Sequence, residues 1–198
     1  EFTIGNNMRK IILVSIVLFT ITALFAQFGD TDIVDIHGLS SHSQVPRGSS
    51  FKIAVILDID DGLHINSNDP TDDFYIPTRI HIEPVNGLNI GEPEFPKPKF
   101  KSFSFTDAKI SVYEGTVSIF VPITVSSELS SGDYTVSGKV SYQGCNDNMC
   151  FPPDSAEFSV DFKVVQAGTD VELNHPEIFQ TPSTDSSQDP VQLTAGEQ

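Results

Sequence analysis

The sequence predicts an all-β protein: an immunoglobulin-like β-sandwich preceded by a signal peptide and followed by a disordered C-terminal tail. Three observations carry this. Apolar and polar residues alternate with period two along several segments, as a half-buried strand requires. Clusters of Gly, Pro, Asn and Asp punctuate those segments. After residue 26 no stretch shows a 3.6-residue apolar repeat.

Taken in order, residues 1–26 read as start residues and an export leader. Met8 is followed by Arg9 and Lys10 and then by a mostly apolar run to Ala26, the pattern of a short basic region and a hydrophobic region. The run is short for a permanent span, which needs about 20 apolar residues. Residues 27–165 form the domain. Phe51, Ile53, Val55, Leu57 and Ile59 share one face of a strand at 51–59, and Val117, Ile119, Val121, Ile123 and Val125 one at 116–125. In the third clear strand, 157–165, Phe158, Val160, Phe162 and Val164 alternate with Glu157, Ser159, Asp161 and Lys163, which gives one wet face. Weaker strands are expected at 32–37, 79–84 and 133–143. Turns fall at Pro46-Arg47-Gly48, Asp60-Asp61-Gly62, Asn86-Gly87 and Ser131-Gly132-Asp133. Residues 92–110 hold several prolines and lysines, so a long loop is expected there. In it Phe95 and Phe100 are expected to cover one end of the sandwich, and Phe103 or Phe105 to form a movable lid. Residues 166–198 are acidic and rich in Ser, Thr, Pro and Gln, and read as a disordered tail or linker.

The 198 residues carry 27 acids against 11 bases, a formal charge of −16. Nucleic acid is therefore not expected as a partner, since binding it needs clustered Lys and Arg. No Walker-type glycine loop or paired zinc-knuckle spacing occurs, nor a defensible Ser/His/Asp arrangement. The acidic clusters Asp58/Asp60/Asp61 and Asp69/Asp72/Asp73 lie at turns without the spacing of a calcium loop. His64 and Met149 with the cysteines would be soft copper ligands, but they have no fixed metal-site spacing.

The chemistry centres on the two cysteines, in Tyr142-Gln143-Gly144-Cys145-Asn146-Asp147-Asn148-Met149-Cys150-Phe151-Pro152-Pro153. Strand-like sequence flanks the pair and Asn146-Asp147-Asn148 form turns, so a hairpin mouth is expected, with Cα atoms roughly 4.5–5.5 Å apart. A bridge across such a short loop gives only about 2 kcal/mol in the chain-entropy model, and the sequence has no Trp to pack on an antibody-type bridge. Spacing alone leaves two readings open: a redox pair, or a structural disulfide in a non-catalytic secreted binding module.

The run YQGCNDNMCFPP resembles the active-site segment of the N-terminal periplasmic domain of the thiol:disulfide interchange protein DsbD family. The resemblance extends to Asp61-Gly62-Leu63-His64-Ile65-Asn66-Ser67, Glu94-Phe95-Pro96-Lys97-Pro98 and Val112-Tyr113-Glu114-Gly115, covering residues 33–165 in order. Leu63 and Asn66 stand where the family has aromatic residues. The resemblance implies a periplasmic protein-disulfide reductase component with no cofactor beyond Cys145 and Cys150. Cys150 would form the mixed disulfide and Cys145 would resolve it. Electrons would come from a membrane electron-transfer domain through a thioredoxin-like module. They would pass to thioredoxin-like periplasmic proteins, namely disulfide isomerases or a cytochrome c maturation thioredoxin. Phe103 and Phe105 would belong to a cap over the pair, with His64, Tyr142 and Asp147 as cap or partner contacts. Asp147 is expected to raise the thiol pKa. The membrane and thioredoxin-like parts are not in this sequence, so the chain is expected to be part of a larger protein or a domain served by a separate membrane partner.

Overall fold

The structure, a computed structural model, describes residues 33–103 and 106–180. The leader expected at 1–26, Phe105 and the end of the expected tail, 181–198, lie outside the described residues. Along the chain run β1 (Val34–Ser40), β2 (Gln44–Pro46), β3 (Ser50–Ile59), β4 (His64–Asn66), β5 (Arg79–Ile82) and β6 (Leu88–Ile90). They are followed by β7 (Lys99–Phe103), β8 (Thr106–Tyr113), β9 (Thr116–Val125), β10 (Gly132–Tyr142), β11 (Gly144–Cys145), β12 (Asp154–Val165) and a one-turn helix, α1 (Pro176–Phe179).

The strands form three four-stranded sheets, in the orders β1-β3-β9-β6, β2-β12-β10-β5 and β11-β4-β8-β7. Pairing is antiparallel except where β2 lies parallel to the end of β12. The first two sheets make the sandwich. Period-two patterning sets their register: Phe51 opposes Ile123 and Leu57 opposes Val117 across β3 and β9, while Val136 opposes Val160 across β10 and β12. These side chains, with Ile53, Val55, Ile119, Val121, Val140 and Phe158, are buried in one core. The rings of Phe51 and Phe162 meet there at 4.7 Å. On β12, Glu157, Ser159, Asp161 and Lys163 face solvent, as the alternation predicts. The expected all-β, immunoglobulin-like sandwich is the observed fold.

The third sheet grows from one end of the sandwich. Strand β4 follows the end of β3, β8 leads into the start of β9, and β11 follows the end of β10. The turn Asp60-Asp61-Gly62 reverses the chain before β4; Gly62 adopts φ 78° and Leu63 N–H donates to Asp60 O at 3.0 Å. Two expectations need correction. The loop expected over 92–110 is instead largely a hairpin of β7 and β8, with Lys101 opposite Ile110. Its prolines all lie at or before Pro98, so no ladder donor is lost in the hairpin itself. In the expected tail, residues 166–180 are placed: Asn174 N–H donates to Ser41 O at 2.7 Å, and Phe179 of α1 meets Phe120 edge-on at 5.8 Å. An aromatic side chain gives this stretch something to pack, which composition averaged over 166–198 hides.

Candidate functional site: a cysteine hairpin beside a stacked Phe–His pair

Cys145 and Cys150 are joined in a disulfide, with an S–S distance of 2.02 Å and Cα atoms 3.9 Å apart. The separation is closer than the expected cross-strand value, and the flanking hydrogen bonds place the pair at the narrow position of the ladder. Phe151 N–H donates to Gly144 O at 2.8 Å on one side of the pair, and Asn146 N–H to Met149 O at 2.9 Å on the other. The cysteines thus occupy a non-hydrogen-bonded antiparallel position, where side chains approach most closely. Asn146 closes the tip, its Oδ1 accepting from the N–H groups of Asn148 and Met149, both at 2.9 Å. This is the side-chain turn that Asx residues form. Gly144 lets Ile33 pack close: a Cβ there would fall 1.7 Å from Ile33 Cδ1, so that side chain would have to shift.

The two sulfurs sit in different surroundings. Cys145 is 1% exposed, while Cys150 is half-buried and Met149 beside it is exposed. Cys145 pairs directly with His64 across β11 and β4. His64 is itself buried, and the ring of Phe103 from the β7–β8 hairpin stacks on it with centroids 4.3 Å apart. Phe103 in turn joins Ile110, Val112 and Tyr75 in a small cluster separate from the main core.

Polar side chains fasten the surrounding segments. Buried Asn66 donates from Nδ2 to Ile76 O at 3.1 Å and to Gln143 Oε1 at 3.2 Å. Gln143 Nε2 reaches Phe151 O at 3.1 Å, so two amides join β4, the 72–77 loop and the outgoing arm of the cysteine hairpin. Ser67 and Ser111 exchange a hydroxyl hydrogen bond at 2.8 Å, and Thr78 Oγ1 donates to Asn66 O at 2.6 Å.

The electrostatics follow from this burial. Desolvation lowers the His64 pKa below its ordinary 6.5; Glu114 acts to raise it, Lys101 to lower it further and Asp147 to raise it. Burial alone would raise the Glu114 pKa, but its hydrogen bond and charge interaction with Lys101, and then Lys99 at 3.6 Å, hold it below 4.5. Burial raises the Tyr113 pKa above 10, against a hydrogen bond with Asn68 that lowers it.

Of the residues singled out in the sequence, Cys145, Cys150, His64 and Phe103 are brought together. Tyr142 is buried in the main core just before the hairpin, and Asp147 is exposed at its tip. Phe95 packs against the core, but Phe100, expected to cover the sandwich end, is 60% exposed. The period of β7 puts it on the face opposite Lys101. Sequence reasoning did not assign Asn66 and Gln143 their bridging role, although both stand in the quoted segments. Among the described residues no group of three or more His, Cys, Asp or Glu side chains is gathered as a metal ion would need.

Fold and site together define a class: a β-sandwich that presents a short-loop cysteine pair at one end, beside a stacked Phe103–His64 pair. The family model described as thiol:disulfide interchange protein DsbD, N-terminal, matches residues 40–161, more than half of the chain. This protein belongs to that family. No curated protein matches the sequence. Among solved structures, it is similar to the DsbD N-terminal domain of Neisseria meningitidis in its reduced form, with 19% identity and a TM-score of 0.41 over 75% of this chain and 96% of that one. It is also similar to the N-terminal periplasmic domain of ScsB from Proteus mirabilis, at 13% identity and a TM-score of 0.46 over 78% of this chain and 53% of that one. A type I cohesin from Pseudobacteroides cellulosolvens follows at 14% identity and a TM-score of 0.41, over 71% of this chain and 97% of that one.

Proposed function

We propose that this chain is a periplasmic dithiol carrier, a protein-disulfide reductase component that works through Cys145 and Cys150 with no other cofactor. The observation that carries the reading is the contrast between a buried Cys145 and a half-buried Cys150 in a disulfide of sequence separation 5. A bridge closing so short a loop constrains the unfolded chain little; opening it leaves the sandwich core intact.

A donor thiolate from a thioredoxin-like module of a membrane electron-transfer protein attacks Cys150 Sγ, and Cys145 leaves with the bonding electron pair. The donor's second thiol then displaces Cys150, leaving this pair reduced and the donor oxidised. In the forward half, the Cys150 thiolate attacks the disulfide of a thioredoxin-like periplasmic partner, either a disulfide isomerase or a cytochrome c maturation thioredoxin. Cys145 next attacks Cys150 Sγ and releases the partner as a dithiol. Two electrons and two protons move in each half. Phe103 covers the pair between encounters, which limits random oxidation of an otherwise reachable thiol.

The test is the reduction potential of the pair in the purified chain, read by trapping free thiols across glutathione buffers. A value in the carrier range, roughly −270 to −120 mV, supports the reading. A value below about −300 mV is that of a structural bridge in a secreted protein and would return the domain to a non-catalytic binding module.

A further inference from the structure

We propose that His64 is the proton acceptor for Cys145 in the resolving step, an inference that rests on the exchange reading above. Cys145 and His64 are directly opposite in the β11–β4 pair. Residues so placed share one face of the sheet, with Cβ atoms about 4.5–5.5 Å apart. The two residues are 1% and 2% exposed, and Phe103 stacked on the imidazole adds to the cover.

That burial creates a chemical problem which the imidazole solves. The thiolate, not the thiol, is the nucleophile, and apolar surroundings hold the proton on sulfur. Solvent base has little access to Cys145, so its proton must pass to a neighbouring side chain. The charged and titratable groups around His64 are Glu114 at the end of the β8 hairpin, Lys101 on β7 and Asp147 on the cysteine hairpin. Glu114 is committed to Lys101 and Lys99, Asp147 stands exposed at the tip, and the Tyr113 hydroxyl is bonded to Asn68 and to Pro96 O. His64, whose burial favours the neutral imidazole, is the base directly opposite Cys145 on the same face of the sheet.

The step balances as follows. With Cys150 held in the mixed disulfide, the Cys145 S–H proton passes to the imidazole and leaves a thiolate. The thiolate attacks Cys150 Sγ, the Cys145–Cys150 bond forms and the bond from Cys150 to the partner breaks. The partner sulfur leaves as a thiolate and takes the proton from the imidazolium. The cysteine pair is oxidised, the partner is reduced and His64 is regenerated.

The experiment mixes the reduced full chain with an equimolar amount of dithiobis-nitrobenzoate and follows release of the coloured thiolate. The first phase is attack by Cys150; the second, independent of reagent concentration, is resolution by Cys145, and Cys145→Ser abolishes it. In the unsubstituted chain the second phase is expected to hold a plateau at neutral pH and to fall as pH drops through the His64 ionisation, below 6.5. His64→Phe, which keeps a ring for Phe103 to stack on, is expected to slow the second phase about 100-fold at neutral pH. It should also replace the plateau by a steady rise toward alkaline pH, while the first phase changes less than about twofold. A second phase unchanged in rate and pH profile overturns the role of His64. If His64→Phe does not fold, His64→Gln and the profile of the unsubstituted chain decide, because a resolving step that shows no inflection below 6.5 overturns it equally. If the unsubstituted chain resolves nothing, the exchange reading itself has failed.

Discussion

The sandwich and the third sheet are built from different materials. Between β3, β9, β10 and β12 the buried side chains are Val, Ile, Leu and Phe in long alternating strands. Around β4, β8 and β11 the strands are mostly short, and the buried residues include His64, Asn66, Ser67, Thr78 and Ser111. Only Ser40 and Ser41 are buried polar residues elsewhere among the described residues. Apolar packing is indifferent to pH and redox state, whereas buried hydrogen-bonding groups hold geometry by direction and lose much when a partner changes. Stability therefore resides chiefly in the two large sheets, and the cysteine hairpin hangs on a polar framework that can respond to charge.

The sharpest way to break this division is a pair of substitutions. Cys150→Ser is expected to abolish disulfide exchange while costing only about 2 kcal/mol of stability, read by denaturant unfolding. Phe162→Ala, in the core against Phe51 and Tyr134, is expected to cost about 3–5 kcal/mol and to leave the reduction potential of the pair where it was. If Phe162→Ala moved the potential, or Cys150→Ser unfolded the domain, sandwich and hairpin would be one unit rather than two.

Gly144→Ala is the next in size and probes the seam between the regions. Its new Cβ would meet Ile33 Cδ1 at 1.7 Å and Cγ1 at 3.2 Å, so Ile33 must swing away at a cost of about 1–3 kcal/mol. Adding Ile33→Ala in the same chain should recover most of that loss, a coupling that denaturant melts of the single and double variants measure.

The sandwich was legible in the sequence because period-two patterning is local: Phe51 to Ile59 and Phe158 to Val164 state their own exposure. Sheet three was not, because β4 and β11, of three and two residues, carry no period and are defined by long-range pairing, β11 on β4 and β4 on β8. The 92–110 stretch misled because its prolines colour the whole segment, although they end at Pro98 just where β7 begins. The cysteine pair stood out through residue type and spacing. The burial of Cys145 depends on β4, which pairs with it from far along the chain. Gln143 was visible as part of a motif, but its role needs Asn66 from a distant segment and the turn that folds Phe151 of the same motif back beside it.

The pKa directions sharpen the comparison at a smaller scale, because His64, Tyr113 and Glu114, whose pKa values are shifted, lie in or next to the third sheet. His64 has a lowered folded pKa, so the unfolded chain binds the proton first. Its contribution to stability is complete above 6.5 and is lost as pH falls below that value toward the folded pKa. Glu114 behaves alike below 4.5, while the raised Tyr113 pKa makes its contribution complete below 10 and lost as pH rises beyond. Hydrogen-exchange protection of Asn66 and Ser67 amides is therefore expected to weaken between neutral pH and about pH 5, with Ile119 and Val121 in β9 unaffected. His64→Phe should remove that dependence. Equal weakening in both regions would mean that pH acts on global unfolding instead.

The smallest effect expected is at Asp147, exposed at the tip of the cysteine hairpin. Its carboxylate lies in the loop between the two cysteines and is exposed, so water and salt screen it strongly. A negative charge nearby disfavours the Cys150 thiolate. Asp147→Asn should therefore lower the pH midpoint for alkylation of Cys150 in the reduced chain, by less than about one pH unit, and the difference from the unsubstituted chain should shrink at high salt. Asp147 belongs to neither apolar cluster, so the sandwich core is expected to keep its stability. A midpoint that stayed put at low salt would mean that the charge does not reach the sulfur.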